Sequence, residues 1–398
     1  MGDCMPLRGQ SKGTDSLHPS AEMLSRATPA QLSWTSEPRC PPPRRGRATA
    51  CARMAVPRVG EPLPAGASQL EALHSVSRLC VDTADLAEIA THKPEDVTTN
   101  PSLLLRAAQR SAHYLVLADE ALYSSLGAVA TGRTRLGATA DALAVLVGRE
   151  VLKLVPGRVS TETDARLAYD ASATVHHALS LIKMYECVGV DRSRVYIKCA
   201  STWEGLQAVR TLQSVHGIAC NCTLLFSLAQ AAECVDAGAA MVSPFVGRIT
   251  DWHREHAGWG PSVGEDPGVV SVKAIYAYVK AHGPATTVMG ASFRNIGQIQ
   301  ALAGIDEVTV SPMLLNELAT IQEPLVRVLG PTALQPPCNS HSHAAVPAPL
   351  PAVHTKSEWE ARLGVGMARD KLAEGIAQFA RDAEALEQWL AALERAPK

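Results

Sequence analysis

VYIKCASTWEGLQ, Val195 to Gln207, is an apolar β-forming run that gives way within a few residues to a helix start. The Tyr-Ile pair belongs in a buried strand, whereas a lysine normally keeps its charge in water. Lys198 therefore stands where the strand leaves the core. Desolvation there favours its neutral amine, a nucleophile able to form a Schiff base with a carbonyl. The plainer alternative is a lysine whose stem packs at a strand end while its head reaches solvent. After it, Ser201 and Glu204 have the spacing of a capping box. The apolar residues Leu206, Val209 and Leu212 then repeat at helical spacing over Leu206–Val215. The stretch reads as one strand–helix unit.

The same alternation runs through the chain from about residue 68. Short, apolar, β-branched segments predict strands at Arg78–Asp82, Asp96–Thr99, Arg158–Thr161, Arg194–Lys198, Ile218–Thr223, Ala240–Ser243, Thr286–Met289 and Glu307–Val310. Amphipathic stretches separate them. This pattern predicts an α/β protein, a parallel (β/α)8 TIM barrel. A doubly wound open sheet is the alternative, but no Gly-rich dinucleotide turn follows any strand.

Four regions follow. Residues 1–65 are rich in Arg, Pro, Ser and Ala, poor in acids, and broken by Pro41–Pro42–Pro43–Arg44–Arg45. They read as a disordered or transit-like extension, with Met54 an internal alternative start. Residues 66–329 form the barrel and 330–357 a Pro-rich surface loop. Residues 358–398 hold a last helix from Met367, whose Leu372, Ile376, Phe379, Ala383, Leu386, Leu390 and Leu393 form an apolar stripe. That stripe is expected to pack on the barrel, with a dimer contact as the other reading.

The 398 residues carry a formal net charge of −2, which gives no whole-chain attraction to nucleic acid or membrane. No apolar run approaches the roughly 20 residues of a spanning helix. The ten cysteines lack metal-ligand spacing and suit reduced thiols. Cys220 and Cys222 alternate on a strand and so share a face. His176–His177 and His341–Ser342–His343 read as solvated.

Reactive residues of such a barrel lie at the C-terminal ends of its strands. In order these are Asp82, Thr98 and Asn100, Glu162, Lys198, Asn221 and Thr223, Ser243, and Ser292 with Arg294, while Arg248 follows Pro244–Phe245–Val246–Gly247. An amine flanked by carboxylates suits imine chemistry, and two arginines suit a bidentate phosphate clamp. Each residue also has a plain structural role open to it. Asp82 would cap a helix, Glu162 would pair with Arg158 or Arg166, Asn100 would form a turn, and Arg248 would bridge to Asp251.

The segments DVTTNPSLL from Asp96 and IKCASTWEGLQA from Ile197 resemble the two transaldolase signatures. PGRVSTETDARLAYD from Pro156, CNCTLLFSLAQA from Cys220 and SPFVGRITDW from Ser243 are similar to the same family. So are EDPGVVSV from Glu265, VMGASFRN from Val288 and MARDKLAEGIAQF from Met367. The resemblance spans roughly Gln69 to Leu318 and resumes in the last helix.

It implies a class I aldolase barrel with no cofactor and no metal, a homodimer, and a cytoplasmic enzyme. A plastid or mitochondrion is the alternative if residues 1–65 are a transit peptide. It implies Lys198 as the Schiff-base lysine and Asp82 as the acid–base for carbon–carbon cleavage. Glu162 and Thr223 would handle the water of imine chemistry. Asn100, Asn221 and Ser243, with Thr98 beside them, would hold substrate hydroxyls, and Arg248, Ser292 and Arg294 the phosphate. The implied partners are sedoheptulose 7-phosphate, fructose 6-phosphate, glyceraldehyde 3-phosphate and erythrose 4-phosphate. In the fructose 6-phosphate aldolase branch a Gln stands at the position of Glu162 and a Tyr at that of Phe245. The Glu and Phe here favour transfer over release. An idle barrel acting as a binding protein would be expected to have lost Lys198 or Asp82. Cys199–Ala200, WEARLGVG from Trp359, the 330–352 loop and the N-terminal extension depart from the family pattern.

Overall fold

The computed structural model describes residues 58–63, 66–130, 132–262, 264–330 and 348–395. The extension expected over residues 1–65 lies outside these up to residue 57, as do His341, His343 and most of the Pro-rich loop.

Eight strands close a parallel barrel in chain order. They are β1 (Arg78–Asp82), β2 (Asp96–Thr98), β3 (Val159–Glu162), β4 (Val195–Ala200), β5 (Cys220–Leu225), β6 (Met241–Pro244), β7 (Thr287–Gly290) and β8 (Glu307–Val310). The TIM-barrel expectation is borne out. The helices are α1 (Gln69–His74), α2 (Leu86–His92), α3 (Pro101–Ala108), α4 (Ala112–Tyr123), α5 (Arg135–Val151), α6 (Ala171–Cys187) and α7 (Trp203–Ser214). They continue with α8 (Leu228–Asp236), α9 (Val246–His256), α10 (Pro267–His282), α11 (Ile296–Gln300) and α12 (Pro312–Thr320). Two more, α13 (Lys356–Leu363) and α14 (Met367–Arg395), complete the described chain.

Several strands run one or two residues further toward the mouth than the apolar pattern suggests. The ladder pairs Glu162 with Lys198, Lys198 with Asn221, and Ala200 with Thr223. Of the added residues only Glu162 is charged; Cys199–Ala200 and Leu224–Leu225 are apolar and simply continue the ladder past the expected ends. Lys198 is thus inside β4, not at its end. The cap of α7 is also different from the expected one. Thr202, not Ser201, accepts the Gly205 N–H through its hydroxyl. Ser201 donates to the Thr223 carbonyl, and Glu204 pairs with Lys356.

Strand alternation separates two faces. Tyr196, Lys198, Asn221 and Thr223 turn inward. Cys199, Cys220 and Cys222 turn outward under the helices, where all three are buried as free thiols. A bulge between β5 and β6 leaves Leu224 at φ 52°, a left-handed backbone unusual for a branched residue.

Helix α14 packs on α3, α5 and α9 and reaches β5, so it lies over the C-terminal mouth. Its inward face, Leu372, Ile376, Phe379, Ala383, Leu386 and Leu390, is buried as the stripe predicts. Polar ties fix its outer edge: Arg166 to Glu387 at 2.5 Å, Trp252 to Asp370 at 3.0 Å, Arg135 to Glu394, and Ser102 to Asp382. Gly375 is required for its seat, because a Cβ there would meet a Leu224 methyl at 2.6 Å. Before β1, the chain at Gly60–Leu63 hydrogen-bonds to Leu325–Arg327, and Leu63 is buried. Among the described residues no helix is long and apolar enough to cross a membrane.

Candidate active site

The mouth of the barrel opens on a cavity of about 60 Å³. It is lined by Asp82, Thr98, Asn100, Lys198, Ser243, Phe245, Arg248 and Ser292 of the expected set. Met289, Ala291, Thr309 and Phe379 complete the lining. Glu162, Asn221 and Thr223 sit around it on β3 and β5, and Arg294 stands at the rim.

Lys198 is only 5% exposed and its Nζ lies 3.7 Å from Glu162 Oε2. Adjacent strands in register put them there, since β3 and β4 pair these two residues directly. The Glu162 side chain is only 5% exposed, and its Oε2 has no hydrogen-bond partner. Burial pushes its carboxyl up to about 7, against the pull of Lys198 and Arg248. It is therefore able to exchange a proton near neutral pH. The Thr223 hydroxyl on β5 is buried and also without a partner.

Asp82 ends β1, and its carboxylate accepts from Thr98 Oγ1 at 3.3 Å. Burial raises its pKa, while Lys198 and the Thr98 hydrogen bond oppose the rise. It caps nothing: Asp85 is the N-cap of α2, accepting from Ala87 N–H. Asn100 does take a structural role, accepting the Leu103 N–H as N-cap of α3. Ser243 donates to Asn221 Oδ1 at 2.5 Å, and Asn221 in turn donates to Ser160 at 3.3 Å. Buried hydroxyls and an amide thus ring the amine.

The cations differ from each other. Arg294 pairs with Asp251 at 2.8 Å and reaches Ser292 Oγ at 3.3 Å. Ser292 itself has φ 60°, and its carbonyl accepts the Gly247 N–H. Arg248 has no ion pair among the described residues. Asp251, its expected partner, goes to Arg294 instead. Its guanidinium carbon lies 5.1 Å from the Phe245 ring centre and 5.6 Å from that of Phe379. Burial, then the Arg294 charge, depresses its pKa.

The pairings of Glu162 with Arg158 or Arg166 do not form. Arg158 stacks on Tyr196 at 4.5 Å, and Arg166 binds Asp164 and Glu387. His177 is not solvated but 3% exposed. Its Nδ1 accepts the Asp164 N–H, and its Nε2 lies 3.0 Å from Asp141. Arg133 bridges Asp141 and Asp164 at 3.0 and 2.6 Å. This network braces the turn directly after Glu162. Adjacent helix positions point about 100° apart, so one histidine of the pair is free to face inward while the other stays in water, and that spacing was the available clue. Thr309 was also findable, being in step with the inward positions of β8. Its hydroxyl lies 2.9 Å from that of Thr98. Phe379 carries no local sign of a pocket role.

A closed parallel barrel with a buried amine between two carboxylates at its C-terminal mouth is a (β/α)8-barrel enzyme site. The profile of the family described as Transaldolase/Fructose-6-phosphate aldolase matches residues 79–390. A transaldolase of Shewanella amazonensis is 47% identical over 326 residues, covering 82% of this chain and 99% of that protein. Transaldolases of Vibrio cholerae and Aliivibrio salmonicida are each 46% identical over 325 residues, with the same shares covered. The chain belongs to the transaldolase family of transferases.

Proposed function

We propose that the chain transfers a three-carbon dihydroxyacetone unit between sugar phosphates through a Schiff base on Lys198. The observation that carries this is the buried Lys198 amine, 3.7 Å from a Glu162 carboxyl near its midpoint at neutral pH. The donor is sedoheptulose 7-phosphate or fructose 6-phosphate, in the non-oxidative pentose phosphate pathway. The neutral amine attacks the C2 ketone. Glu162 then protonates the carbinolamine hydroxyl, which leaves as water and yields a cationic imine. The unpartnered Thr223 hydroxyl suits that water.

Asp82 takes the C4 hydroxyl proton and the C3–C4 bond breaks. Its electron pair flows into the imine to give an enamine, and an aldose phosphate departs. An incoming aldehyde, glyceraldehyde 3-phosphate or erythrose 4-phosphate, receives the enamine carbon while Asp82 returns the proton. Water activated by Glu162 hydrolyses the new imine and frees Lys198. Asn100, Asn221, Ser243 and Thr98 hold the sugar hydroxyls, and Arg248, Ser292 and Arg294 hold the phosphate. The roof of α14 with Phe245 and Phe379 shields the enamine from stray protons.

A fructose 6-phosphate aldolase is the second reading, because the matched family includes both activities. Glu162 and Phe245, in place of Gln and Tyr, favour transfer. The test mixes fructose 6-phosphate with erythrose 4-phosphate. Heptulose phosphate with glyceraldehyde 3-phosphate supports transfer, whereas free dihydroxyacetone identifies the aldolase. Neither product would mean an idle barrel. The reading puts the enzyme in the cytoplasm; N-terminal sequencing of the mature protein distinguishes this from an organelle.

A further inference from the structure

We infer that Phe379 of α14 is the positioning residue for Arg248, and that the two arginines of the anion site have different tasks. The inference deepens the phosphate assignment above and rests on it. Arg294 is compensated by Asp251 at 2.8 Å and stands at the solvent rim, so much of its charge is already spent. Arg248 is half-buried and forms no ion pair with a carboxylate among the described residues. Two aromatic faces stand in for one. Phe245 lies at 5.1 Å and Phe379 at 5.6 Å from the guanidinium carbon.

An aromatic face attracts a cation through its quadrupole without neutralising it. A carboxylate in that place would hold the arginine equally well, yet would compete with an incoming anion. The ring pair therefore holds Arg248 in one pose with no carboxylate in contact, so that only the longer-range charges of Glu374, Glu162 and Asp82 act on it beside an incoming phosphate dianion. The pose depends on α14. Gly375, one turn before Phe379, lets the helix approach so closely that a Cβ there would be 3.5 Å from Arg248 Nη1. Phe245 is fixed independently by its edge-to-face contact with Phe226 at 5.6 Å. Phe379 is thus the contribution of the last helix to anion affinity.

The experiment compares wild type with Phe379→Leu and Phe379→Tyr. Phe379→Leu should raise KM for fructose 6-phosphate about 5- to 30-fold, the range of a partly desolvated cation–π contact. Inhibition by inorganic phosphate should weaken by the same factor. Phe379→Tyr, which keeps the ring, should restore both, and in Phe379→Leu kcat/KM with unphosphorylated fructose should fall much less than with fructose 6-phosphate. An unchanged KM in Phe379→Leu would overturn the inference. So would an equal loss with fructose, or an equal loss in Phe379→Tyr. Should the leucine variant show no cooperative melt, Phe379→Met takes its place. Stabilisation of each variant by inorganic phosphate, followed as a melting shift, reads Arg248 positioning without any turnover. If wild type failed to transfer yet phosphate stabilised it and not Phe379→Leu, the proposed reaction would fall while the inference stood.

Discussion

Lys198 and Glu162 face each other because parallel pairing puts neighbouring residues of β3 and β4 at one height in the barrel. Trapping with borohydride and fructose 6-phosphate should add a three-carbon unit to Lys198, and Lys198→Ala should abolish the label. A label on another lysine would remove the assignment. Glu162 titrates at about 7, so the rate profile should show a limb near that pH. Glu162→Ala should lose this limb and lower kcat about 10²- to 10⁴-fold, the usual range for a general acid–base. Arg294→Ala should raise KM for phosphorylated sugars and spare unphosphorylated acceptors. The change corresponds to about 1.5–3 kcal/mol, toward the lower end because the side chain is partly solvated. Equal losses for both acceptor types would argue against a phosphate contact.

Sequence patterning placed all eight strands, yet ended several of them short on the mouth side. At β3 the apolar signal stops at Glu162 although the backbone ladder does not, while β4 and β5 continue through the apolar pairs Cys199–Ala200 and Leu224–Leu225. The single-residue error in the α7 cap has a related cause. Ser201 and Thr202 are chemically equal candidates, and only the path of the chain leaving β4 selects Thr202. Thr202→Ala should therefore cost about 0.5–2 kcal/mol in denaturant titration, and Ser201→Ala should not remove the cap. Glycine within a 29-residue helix is a loss of helix propensity, and Gly375→Ala would ordinarily gain about 1 kcal/mol. Here the expected sign is reversed. The added methyl collides with Leu224, so the variant should be destabilised by about 1–3 kcal/mol, read from its urea midpoint.

Across the whole molecule, buried ionisable groups set a stability optimum. Arg133 and Arg166 hold the Asp164 carboxyl well below the usual range although burial acts the other way. His177 and Arg133 likewise depress Asp141. Their contribution is present above the unfolded carboxylate pKa and is lost as pH falls through the folded value. At the opposite end of the barrel, burial and then the charge of Asp96 push Glu307 up to about 8, despite Arg78 at 2.6 Å. Glu162 shifts in the same direction. These raised groups stabilise fully below their unfolded pKa, and that contribution disappears as pH rises through about 7 to 8. Stability should therefore decline on the alkaline side by a few kcal/mol at most, and Glu307→Gln should flatten that decline in melts across pH 5–9. A chain starting at Met54 should keep turnover and stability. One starting at Pro64 lacks Leu63 and the Gly60 hydrogen bond to Arg327, and should lose about 2–4 kcal/mol.

The sequence by itself determined the barrel, the alternation of its faces and the residues collected at its mouth, because strand period, β-branching and the placing of polar groups at strand ends are local properties. It also marked the buried stripe of α14. Tertiary structure alone decided what those residues meet. Asp251 went to Arg294 rather than Arg248, His177 turned into a buried carboxylate network, and Phe379 became part of the pocket. Each outcome depends on partners distant in the chain, where several pairings are chemically equal and packing geometry selects among them.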